Sequence, residues 1–530
     1  MNAIVSAKHK VFAIPFDQGL ANLIPSAKPF EHPQLGSMLL VPHTRDTTRL
    51  ARNMGHATPA PILTQYDWNG DTPFKTQMIT AAMLTMHSRA FVLSEMGTGK
   101  TRATLHAANF LMRTGDVRRA LVVAPLSTLV HVWDREIFRY FNHLSTGVLH
   151  GTRAQRLKVL AQDKDIYIIN HDGVETILPE LLAREDIDLV IIDELAAFRN
   201  ARTDRWKALN LLVNGGMRKG STVPVAAKPF AWGLTGSPTP NEPADAWGQC
   251  RLLAPHRVPP YFKQFKRMTM TQVSQFKWVP RPEANEIVYD AMQPAVRFKR
   301  DDCVELPETS YQNRPVQLSA RQQQVYNDLM KKLKLGFQEG TVTAANEGVL
   351  FSKLLQITCG WVYTTDRRIV HLDNQDRIDN LLEVLDEAEG KVIVFVDFIH
   401  AAEQLQNILL KSKVRSALVT GQTPAKDRNR IFTTFQSAAF PRVLVAHPKC
   451  MAHGLTLTAA NTIVWFTPTT SLETYEQACA RITRPGQQRK SLIVHLTGSP
   501  VESRLYRRLQ QKASLQGALL ELFESQENGE

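Results

Sequence analysis

A glycine-rich segment that begins at Ser94 has residue types suited to binding phosphate. It reads Ser-Glu-Met-Gly-Thr-Gly-Lys-Thr, follows the apolar run 90–93 and precedes a helical stretch at 102–113. Glycines let backbone N–H groups approach phosphate oxygens closely, and the start of a helix adds favourable partial positive charge. This context is that of a P-loop. We predict that a nucleoside triphosphate contacts Met96, Gly97, Thr98, Gly99, Lys100 and Thr101.

The last two residues of this loop have distinct expected roles. Lys100 would reach the β- and γ-phosphates, and the Thr101 hydroxyl would ligate Mg²⁺. One position departs from the strict pattern, because Ser94 stands where a P-loop has its first glycine. A chance glycine-rich turn is the alternative, and the flanking strand and helix argue against it.

A pair of carboxylates, Asp193 and Glu194, follows the apolar run 187–192. Acidic residues at the end of a buried strand lie at the carboxyl edge of a sheet, where α/β proteins bind ligands. Asp193 would hold Mg²⁺, directly or through water, and Glu194 would polarise the attacking water. Acids at strand ends often only terminate the strand, but the upstream P-loop gives this pair a ligand to act on.

Two series of short apolar runs must position these residues. The first series lies at 90–93, 120–124, 166–170, 189–193 and 230–235, and the second at 392–396, 416–420, 443–446, 462–466 and 492–496. They are rich in Val, Ile and Leu and alternate with helical stretches, which is typical of parallel strands buried on both faces. The sequence predicts an α/β fold with two parallel-sheet lobes in tandem. Only the first has a P-loop, since Asp-Phe-Ile-His follows the run 392–396.

Composition limits the classes of partner. The 530 residues include 63 Lys and Arg against 50 Asp and Glu, a net charge of +13. Such an excess favours a polyanionic partner, although charge alone does not separate nucleic acid from an acidic membrane. No apolar run approaches the roughly 18 residues of a membrane span. The five cysteines form no CxxC pair, so we expect neither zinc nor disulfides and a reducing, cytoplasmic location.

Several longer segments resemble the motifs of one ATPase superfamily. They comprise Gln77 with its neighbours and the segments 122–133, 168–171, 234–241, 443–457 and 477–487. Residues 73–500 thereby resemble the superfamily 2 ATPases, and within them the Swi/Snf-type translocases, in a compact bacterial or phage form. The resemblance implies two tandem RecA-like lobes, ATP and Mg²⁺ as cofactors, and hydrolysis coupled to movement along nucleic acid.

The resemblance also assigns roles to individual residues. Gln77 would read adenine, and Gly454 would contact the nucleotide from the second lobe. Arg481 and Arg484, in Gln-Ala-Cys-Ala-Arg-Ile-Thr-Arg-Pro-Gly-Gln, match the arginine-finger motif. Their guanidinium groups would stabilise charge on the γ-phosphate in the transition state. The predicted catalytic residues are Lys100, Glu194, Arg481 and Arg484.

Contacts with nucleic acid follow from the same resemblance. The residues assigned to them are Ser127, Thr128, Trp133, His171, Thr235 and Lys449. Double-stranded DNA is the favoured partner and RNA the less favoured one. Three other interpretations stay open, namely a strand-separating helicase, a catalytically weak DNA-binding scaffold, and a motor that works with a nuclease on a separate chain. Ala196 stands where the family commonly has His, which leaves the coupling route open.

We divide the chain into five parts. They are an N-terminal accessory segment (1–72), the first lobe (73–255), a basic aromatic connector (256–310), the second lobe (311–500), and a C-terminal helix with an acidic tail (501–530). The stretch 256–300 holds nine Lys or Arg against three Asp or Glu. Its aromatic residues suit base stacking, or equally packing on the first lobe. Unidentified protein partners could bind residues 1–72.

Overall fold

The computed structural model describes residues 3–68, 72–217, 220, 223–274, 278–299, 307–338, 344–364, 368–451, 456–484 and 486–511. The chain forms two units, Met1–Val304 and Glu305–Glu530. No helix in these described stretches combines the length and the apolar character needed to cross a membrane.

The first unit opens with a small module built on an antiparallel sheet. Its strands, in the spatial order β1-β2-β4-β3, are β1 (Ile4–Ser6), β2 (Val11–Pro15), β3 (Lys28–His32) and β4 (Gly36–Pro42). The helices are α1 (Gln18–Leu23), α2 (Arg45–Asn53) and α3 (Ile62–Gln65). Phe12, Ile14, Leu39 and Val41 form its buried centre with Leu20 of α1. These helices have nine residues or fewer and show little periodicity, so the sequence alone does not predict them.

Arginine 45, at the start of α2, attaches this module to the neighbouring α/β layer. Its Nε donates to the carbonyl of Thr85 at 2.9 Å, and its guanidinium lies 4.7 Å from the ring centroid of Phe230. Asp116 Oδ1 lies 3.9 Å from the Nη1 of Arg45. A cation shared between a carbonyl, a ring and a carboxylate fixes the orientation of α2 against the first lobe.

The first lobe is a seven-stranded parallel sheet with helices on both faces. Its spatial order is β15-β5-β12-β9-β6-β8-β7. These strands are β5 (Arg89–Val92), β6 (Arg119–Ala124), β7 (Thr146–Leu149), β8 (Ile166–Asn170), β9 (Ile187–Asp193), β12 (Phe230–Leu234) and β15 (Ala295–Val296). The short strands β10 (Gly216–Met217) and β11 (Pro224–Val225) form one hairpin, and β13 (Met270–Gln272) and β14 (Trp278–Pro280) another.

The helices of the first lobe connect successive strands. They are α4 (Lys75–Met86), α5 (Lys100–Thr114), α6 (Arg135–Tyr140), α7 (Arg153–Leu160), α8 (Gly173–Thr176), α9 (Leu178–Ala183), α10 (Asp204–Asn214), α11 (Ala246–Leu253), α12 (Phe262–Thr269) and α13 (Ala284–Ala291). The five apolar runs of the first series coincide with β5, β6, β8, β9 and β12, so the prediction of a parallel sheet buried on both faces is confirmed. Parallel order places the carboxyl ends of all these strands at one edge.

Part of the predicted connector joins this sheet. The β15 strand pairs with β5, and the N–H groups of Phe91 and Leu93 donate to the carbonyls of Pro294 and Val296 at 3.0 and 2.8 Å. Phe265 of α12 is 1% exposed in the first-lobe core. Its burial supports packing for that ring, while Tyr261 and Tyr289 are largely exposed.

The second unit contains a six-stranded parallel sheet in the order β16-β23-β22-β19-β21-β20. These strands are β16 (Thr309–Pro315), β19 (Lys391–Phe395), β20 (Ser416–Val419), β21 (Val443–Ala446), β22 (Ala460–Trp465) and β23 (Ser491–Thr497). A hairpin joins β17 (Trp361–Tyr363) to β18 (Ile369–His371). The helices are α14 (Ala320–Gln338), α15 (Ala344–Cys359), α16 (Gln375–Glu387), α17 (Ile399–Lys411), α18 (Ala425–Ser437), α19 (Leu472–Cys479) and α20 (Pro500–Gln510). The prediction of two α/β lobes is therefore confirmed.

A buried ion pair links α16 to α20 in the second unit. Arg377 Nη2 donates to both carboxylate oxygens of Glu502, at 2.9 and 2.8 Å, and neither side chain is more than 1% exposed. We expect Glu502→Ala to lower the free energy of unfolding by about 3–5 kcal/mol, because it leaves a buried guanidinium without its counter-charge. Urea denaturation would measure this loss.

The matched control is Glu308→Ala, which removes the carboxylate of an exposed pair with Lys490 at 3.1 Å. Both of these side chains are more than two-thirds exposed, so solvent screens the pair and little stability should be lost. Equal losses in the two variants would contradict a special role for the buried pair.

Candidate nucleotide and nucleic-acid site

The loop between β5 and α5 has the backbone shape of a phosphate cradle. Gly97 and Gly99 adopt φ angles of 85° and 78°, in the left-handed region that glycine enters without strain. The Thr98 hydroxyl donates to the carbonyl of Glu95 at 2.8 Å and closes the turn. The loop leads directly into the 15-residue helix α5, whose first N–H groups have no partner within the helix.

Lysine 100 lies across the mouth of this loop. Its ammonium donates to the carbonyls of Ser94 and Glu95 at 2.7 and 3.0 Å. Thr101 follows it in the first turn of α5. A lysine ammonium, a set of N–H donors, a threonine hydroxyl and a carboxylate pair at the same sheet edge form a donor set that fits a triphosphate with Mg²⁺, which prefers oxygen ligands.

Glutamine 77 lies against the phosphate loop. Its Oε1 accepts from the N–H of Phe74 at 2.9 Å, and its Nε2 donates to the carbonyl of Gly99 at 3.4 Å. A Cβ added to Gly99 would lie only 2.0 Å from that Nε2, so this close approach requires glycine. The resemblance assigned Gln77 to adenine, which stays a prediction. The contact with the loop was not anticipated.

The acidic pair lies at the end of β9, on the carboxyl edge of the sheet. Asp193 Oδ2 accepts from the indole N–H of Trp133 at 2.9 Å, and Oδ1 accepts from the N–H of Glu194 at 3.0 Å. The carbonyl of Asp193 is 2.8 Å from Nε2 of His171. Glu194 has a φ of 51°, a conformation costly for a residue with a Cβ. Asp193 is therefore held by groups on two other segments, those that carry Trp133 and His171.

The segment 234–241 lies directly against the phosphate loop. The N–H of Thr235 donates to the carbonyl of Val92 at 3.0 Å. A Cβ on Gly236 would lie 3.5 Å from Met96 Cγ. Gln249 of α11 holds the far side, since its Nε2 donates to the carbonyl of Pro238 at 2.5 Å. A movement of the phosphate loop would therefore displace this segment, because the two are in van der Waals contact.

The two predicted arginine fingers follow α19 in the second unit. Arg481 is fully buried, and its carbonyl accepts from the N–H of Leu457 at 3.0 Å. Arg484 is half-buried, and its Nε donates to the carbonyl of Ala480 at 2.9 Å. Their action on a nucleotide stays a prediction. Gly454, predicted to contact the nucleotide, lies outside the described residues.

Several of the predicted nucleic-acid contacts lie at buried positions. Trp133 is 0% exposed and its indole donates to Asp193, so its side chain offers no surface, and the contact of this residue with nucleic acid stays a prediction. The side chains of Thr128, His171 and Thr235 are 2%, 8% and 1% exposed and offer no surface either. The Thr128 hydroxyl donates to the carbonyl of Pro125, the His171 ring bonds to the carbonyl of Asp193, and the Thr235 hydroxyl accepts from the N–H of Ser237.

Two of the predicted nucleic-acid contacts reach the surface. Ser127 is partly exposed beside β6, and Lys449 is exposed in the turn Pro448–Met451 after β21. For these two residues the contact remains a prediction. The sequence motifs identify these loops. Burial then distinguishes the side chains that hold a loop in place from those that are exposed on its surface.

Ser94 has a function that sequence reasoning missed. Its hydroxyl accepts from the N–H of Phe298 at 3.1 Å, and the neighbouring N–H of Glu95 donates to the carbonyl of Phe298 at 3.0 Å. A glycine at position 94 would lack the first bond. The departure from the P-loop pattern was the available signal, because a hydroxyl at that position requires a partner once it is buried.

A buried carboxyl group lies at the carboxyl edge of the second sheet. Asp397 follows β19, and burial raises its pKa to about 7, although the Lys449 ammonium and the Thr469 hydroxyl act in the opposite direction. The ring of His447 is 3.7 Å from Asp397 Oδ1, and burial lowers the pKa of that imidazole. The polar groups next to the turn Pro448–Met451 are therefore poorly solvated.

This raised pKa predicts a pH-dependent loss of stability. The folded state holds the Asp397 proton more tightly than the unfolded chain, whose pKa is 3.8, so its contribution is lost as pH rises from about 4 through about 7. Asp397→Asn cannot ionise. We expect its free energy of unfolding, relative to the unsubstituted protein, to increase between pH 5 and pH 8 by on the order of a few kcal/mol. A flat difference across that range in urea denaturation would contradict this.

Family comparisons match most of the chain. A family model described as "SNF2-related domain" matches residues 81–359, and one described as "Helicase conserved C-terminal domain" matches residues 374–486. The first alone covers more than half of the 530 residues.

Individual relatives have low sequence identity to this chain but match most of its length. The chain is 26% identical over 471 residues to "Putative protein p41" of Acyrthosiphon pisum secondary endosymbiont phage 1, covering 85% of this chain and 98% of that protein. It is 24% identical over 465 residues to the mouse "DNA annealing helicase and endonuclease ZRANB3", covering 84% of this chain but only 40% of the mouse protein. A solved structure titled "Sulfolobus solfataricus SWI2/SNF2 ATPase core in complex with dsDNA" shows 20% identity, a TM-score of 0.41, and coverage of 84% of this chain and 92% of that one.

Proposed function

Since this chain belongs to the SNF2 family and is an ATP hydrolase with that family's helicase-like domains, we propose that it is a motor that moves along double-stranded DNA. The observation that carries this proposal is the meeting of three motifs at one sheet edge. There Gly236 lies against Met96 of the Lys100 loop, the N–H of Thr235 donates to the carbonyl of Val92, and Leu234 pairs with Asp193 across neighbouring strands.

Each predicted site residue of the first lobe has its own task in the proposed hydrolysis. The Lys100 ammonium and the N–H groups at the start of α5 bind the phosphates and neutralise their charge. Thr101 and Asp193 would supply oxygen ligands for Mg²⁺, which would neutralise developing charge on the phosphate. Glu194 accepts a hydrogen bond from the attacking water and orients it in line with the γ-phosphate.

We propose that Arg481 and Arg484 of the second unit act on the bound nucleotide. Always-charged guanidinium groups stabilise the charge that spreads over the γ-phosphate oxygens in the transition state. The five residues 396–400 directly after β19 are Val, Asp, Phe, Ile and His, with neither glycine nor lysine, so we assign nucleotide binding to the first lobe alone. ATP would close the two units on each other and hydrolysis would release them, which advances a protein that grips DNA with both.

DNA is the partner that the chain's charge and relatives support. The net charge of +13 favours phosphate contacts, which release condensed counterions. A relative that matches 84% of this chain is named a DNA annealing helicase. Lys449 is exposed and Ser127 is partly exposed, each beside the carboxyl edge of its sheet. We propose that these two residues contact DNA. We place the activity in the bacterial cytoplasm, where phage and host DNA are both handled.

The test is ATP hydrolysis measured with duplex DNA, single-stranded DNA or RNA as the stimulant. We expect duplex DNA to stimulate most, and Lys100→Ala to abolish the stimulated rate. Lys158→Ala, which changes an exposed lysine of α7, is the control and should retain it. Stimulation by single strands alone would instead favour a strand-separating helicase. A rate that no nucleic acid alters would contradict the motor.

A further inference from the structure

Trp133 is the buried residue that bonds directly to the predicted metal carboxylate. Its side chain has no exposed surface, yet its indole N–H donates to Asp193 Oδ2 across 60 residues of sequence. Indole nitrogen is a donor only, and a buried donor of this kind needs an acceptor. This bond therefore orients the Asp193 carboxylate.

The segment that carries Trp133 has an unusual backbone. Residues Leu129–Asp134 form a π-helix between a 3₁₀ turn and α6. Such helices are rare and occur often at functional sites, because the wider turn redirects side chains. Asp134 fixes the end of this turn, since its Oδ1 accepts from the hydroxyl of Thr146 at 2.6 Å. The π-helix therefore presents Trp133 to the acidic pair in a single, supported orientation.

The opposite side of the same segment faces solvent. Leu126 and Val130 are 57% and 50% exposed, and Ser127 is partly exposed between them. The nearest of these exposed side chains, Val130, is three positions before Trp133, whose side chain bonds to Asp193. A packed interior transmits displacement because it has little free volume. A partner that pressed on residues 126–130 would move the indole, and the indole would move the carboxylate.

We propose that Trp133 is a positioning residue that links the exposed segment 126–130 to the Mg²⁺-binding carboxylate of Asp193. The indole N–H holds the carboxylate in the orientation that accepts the metal, and nucleic acid on the segment adjusts that orientation. The second half rests on the proposed function. His171 supports the same residue from the other side, through the carbonyl of Asp193.

The first test measures binding of a non-hydrolysable, fluorescent ATP analogue with Mg²⁺ and with EDTA. The dissociation constant in EDTA divided by the dissociation constant in Mg²⁺ reports how much the metal contributes to binding. Loss of a bond that orients a metal ligand typically costs about tenfold or more in metal affinity, so Trp133→Phe should lower this ratio by about tenfold. Trp232→Phe is the control. Trp232 is equally buried in the same core, but its indole donates to the carbonyl of His87.

Two further variants separate positioning from packing. Benzothienylalanine at position 133 keeps the ring and replaces N–H with sulfur, so it should lower the ratio even if Trp133→Phe folds poorly. Asp193→Asn should lower the ratio by itself, and adding Trp133→Phe should then change nothing. An unchanged ratio in the benzothienylalanine protein would overturn the proposal, as would a full further loss in the double variant.

A second readout tests the link to nucleic acid. At saturating Mg²⁺, the factor by which duplex DNA stimulates ATP hydrolysis should be smaller in Trp133→Phe than in Trp232→Phe. Equal stimulation in the two variants would overturn the link. If the unsubstituted protein shows no stimulation while the Mg²⁺ ratio still falls in Trp133→Phe, the motor proposal fails and the positioning of Asp193 stands.

Discussion

Replacing Glu194 with Gln should lower the rate of ATP hydrolysis by about 10²–10⁴-fold, the usual contribution of a positioned general base. The amide is nearly isosteric with the carboxylate but cannot accept the proton of the attacking water. ATP binding should be retained, because the proposed phosphate contacts come from Lys100 and the start of α5 and not from Glu194. The left-handed backbone at Glu194, with its φ of 51°, is tolerated where a function requires that placement of the side chain.

Single-turnover hydrolysis and equilibrium binding of ATP would be measured on the same protein. Glu175→Gln changes an exposed carboxylate of α8 and serves as the control for charge. It should match the unsubstituted protein in both measurements. If Glu194→Gln hydrolysed ATP at a normal rate, the carboxylate would have no part in activating water, and the assignment of this edge as the catalytic centre would be wrong.

Loss of the second-unit arginines should have an effect of similar size. Arg484→Ala should slow hydrolysis by about 10³-fold or more, since a finger guanidinium contributes on that scale to phosphoryl transfer. Arg481 is fully buried, so Arg481→Lys is the safer substitution there. It keeps a positive charge but not the planar fork of donors, and it too should slow hydrolysis strongly.

Both variants should bind ATP almost normally, because the guanidinium groups act on charge that develops only in the transition state. The control is Arg489→Ala, at an exposed position of the same unit. It should leave hydrolysis unchanged. Weakened ATP binding with a normal maximal rate in Arg484→Ala would assign that residue to ground-state binding and contradict the finger role.

The fold could be predicted from the sequence because parallel strands buried on both faces form continuous apolar runs. Run 189–193 and run 443–446, for example, coincide with β9 and β21. The two-residue strand β15 could not be predicted, since Ala295 and Val296 form no run and pair only because β5 offers an open edge. The helices of the N-terminal module escaped prediction for the same reason of length.

The site was predictable as motifs but not as contacts. Spacing and residue type placed Lys100, Asp193 and Glu194 at one edge, because all parallel strands end there. Sequence similarity cannot show which side of a loop a residue faces. Trp133 was therefore assigned to nucleic acid, whereas the π-helix turns it inward to Asp193. The bond between Ser94 and Phe298 joins residues 204 positions apart, beyond the reach of local patterns.

The central proposal is that Arg481 and Arg484 act on the nucleotide that the Lys100 loop binds. Its most direct test is an experimental structure of this protein with duplex DNA, Mg²⁺ and a transition-state mimic such as ADP–aluminium fluoride. We predict that the mimic lies in the Lys100 loop and that Arg481 or Arg484 places a guanidinium nitrogen about 3 Å from a fluoride. A bound mimic with both guanidinium groups more than about 10 Å away, too far for any hydrogen bond, would contradict the claim.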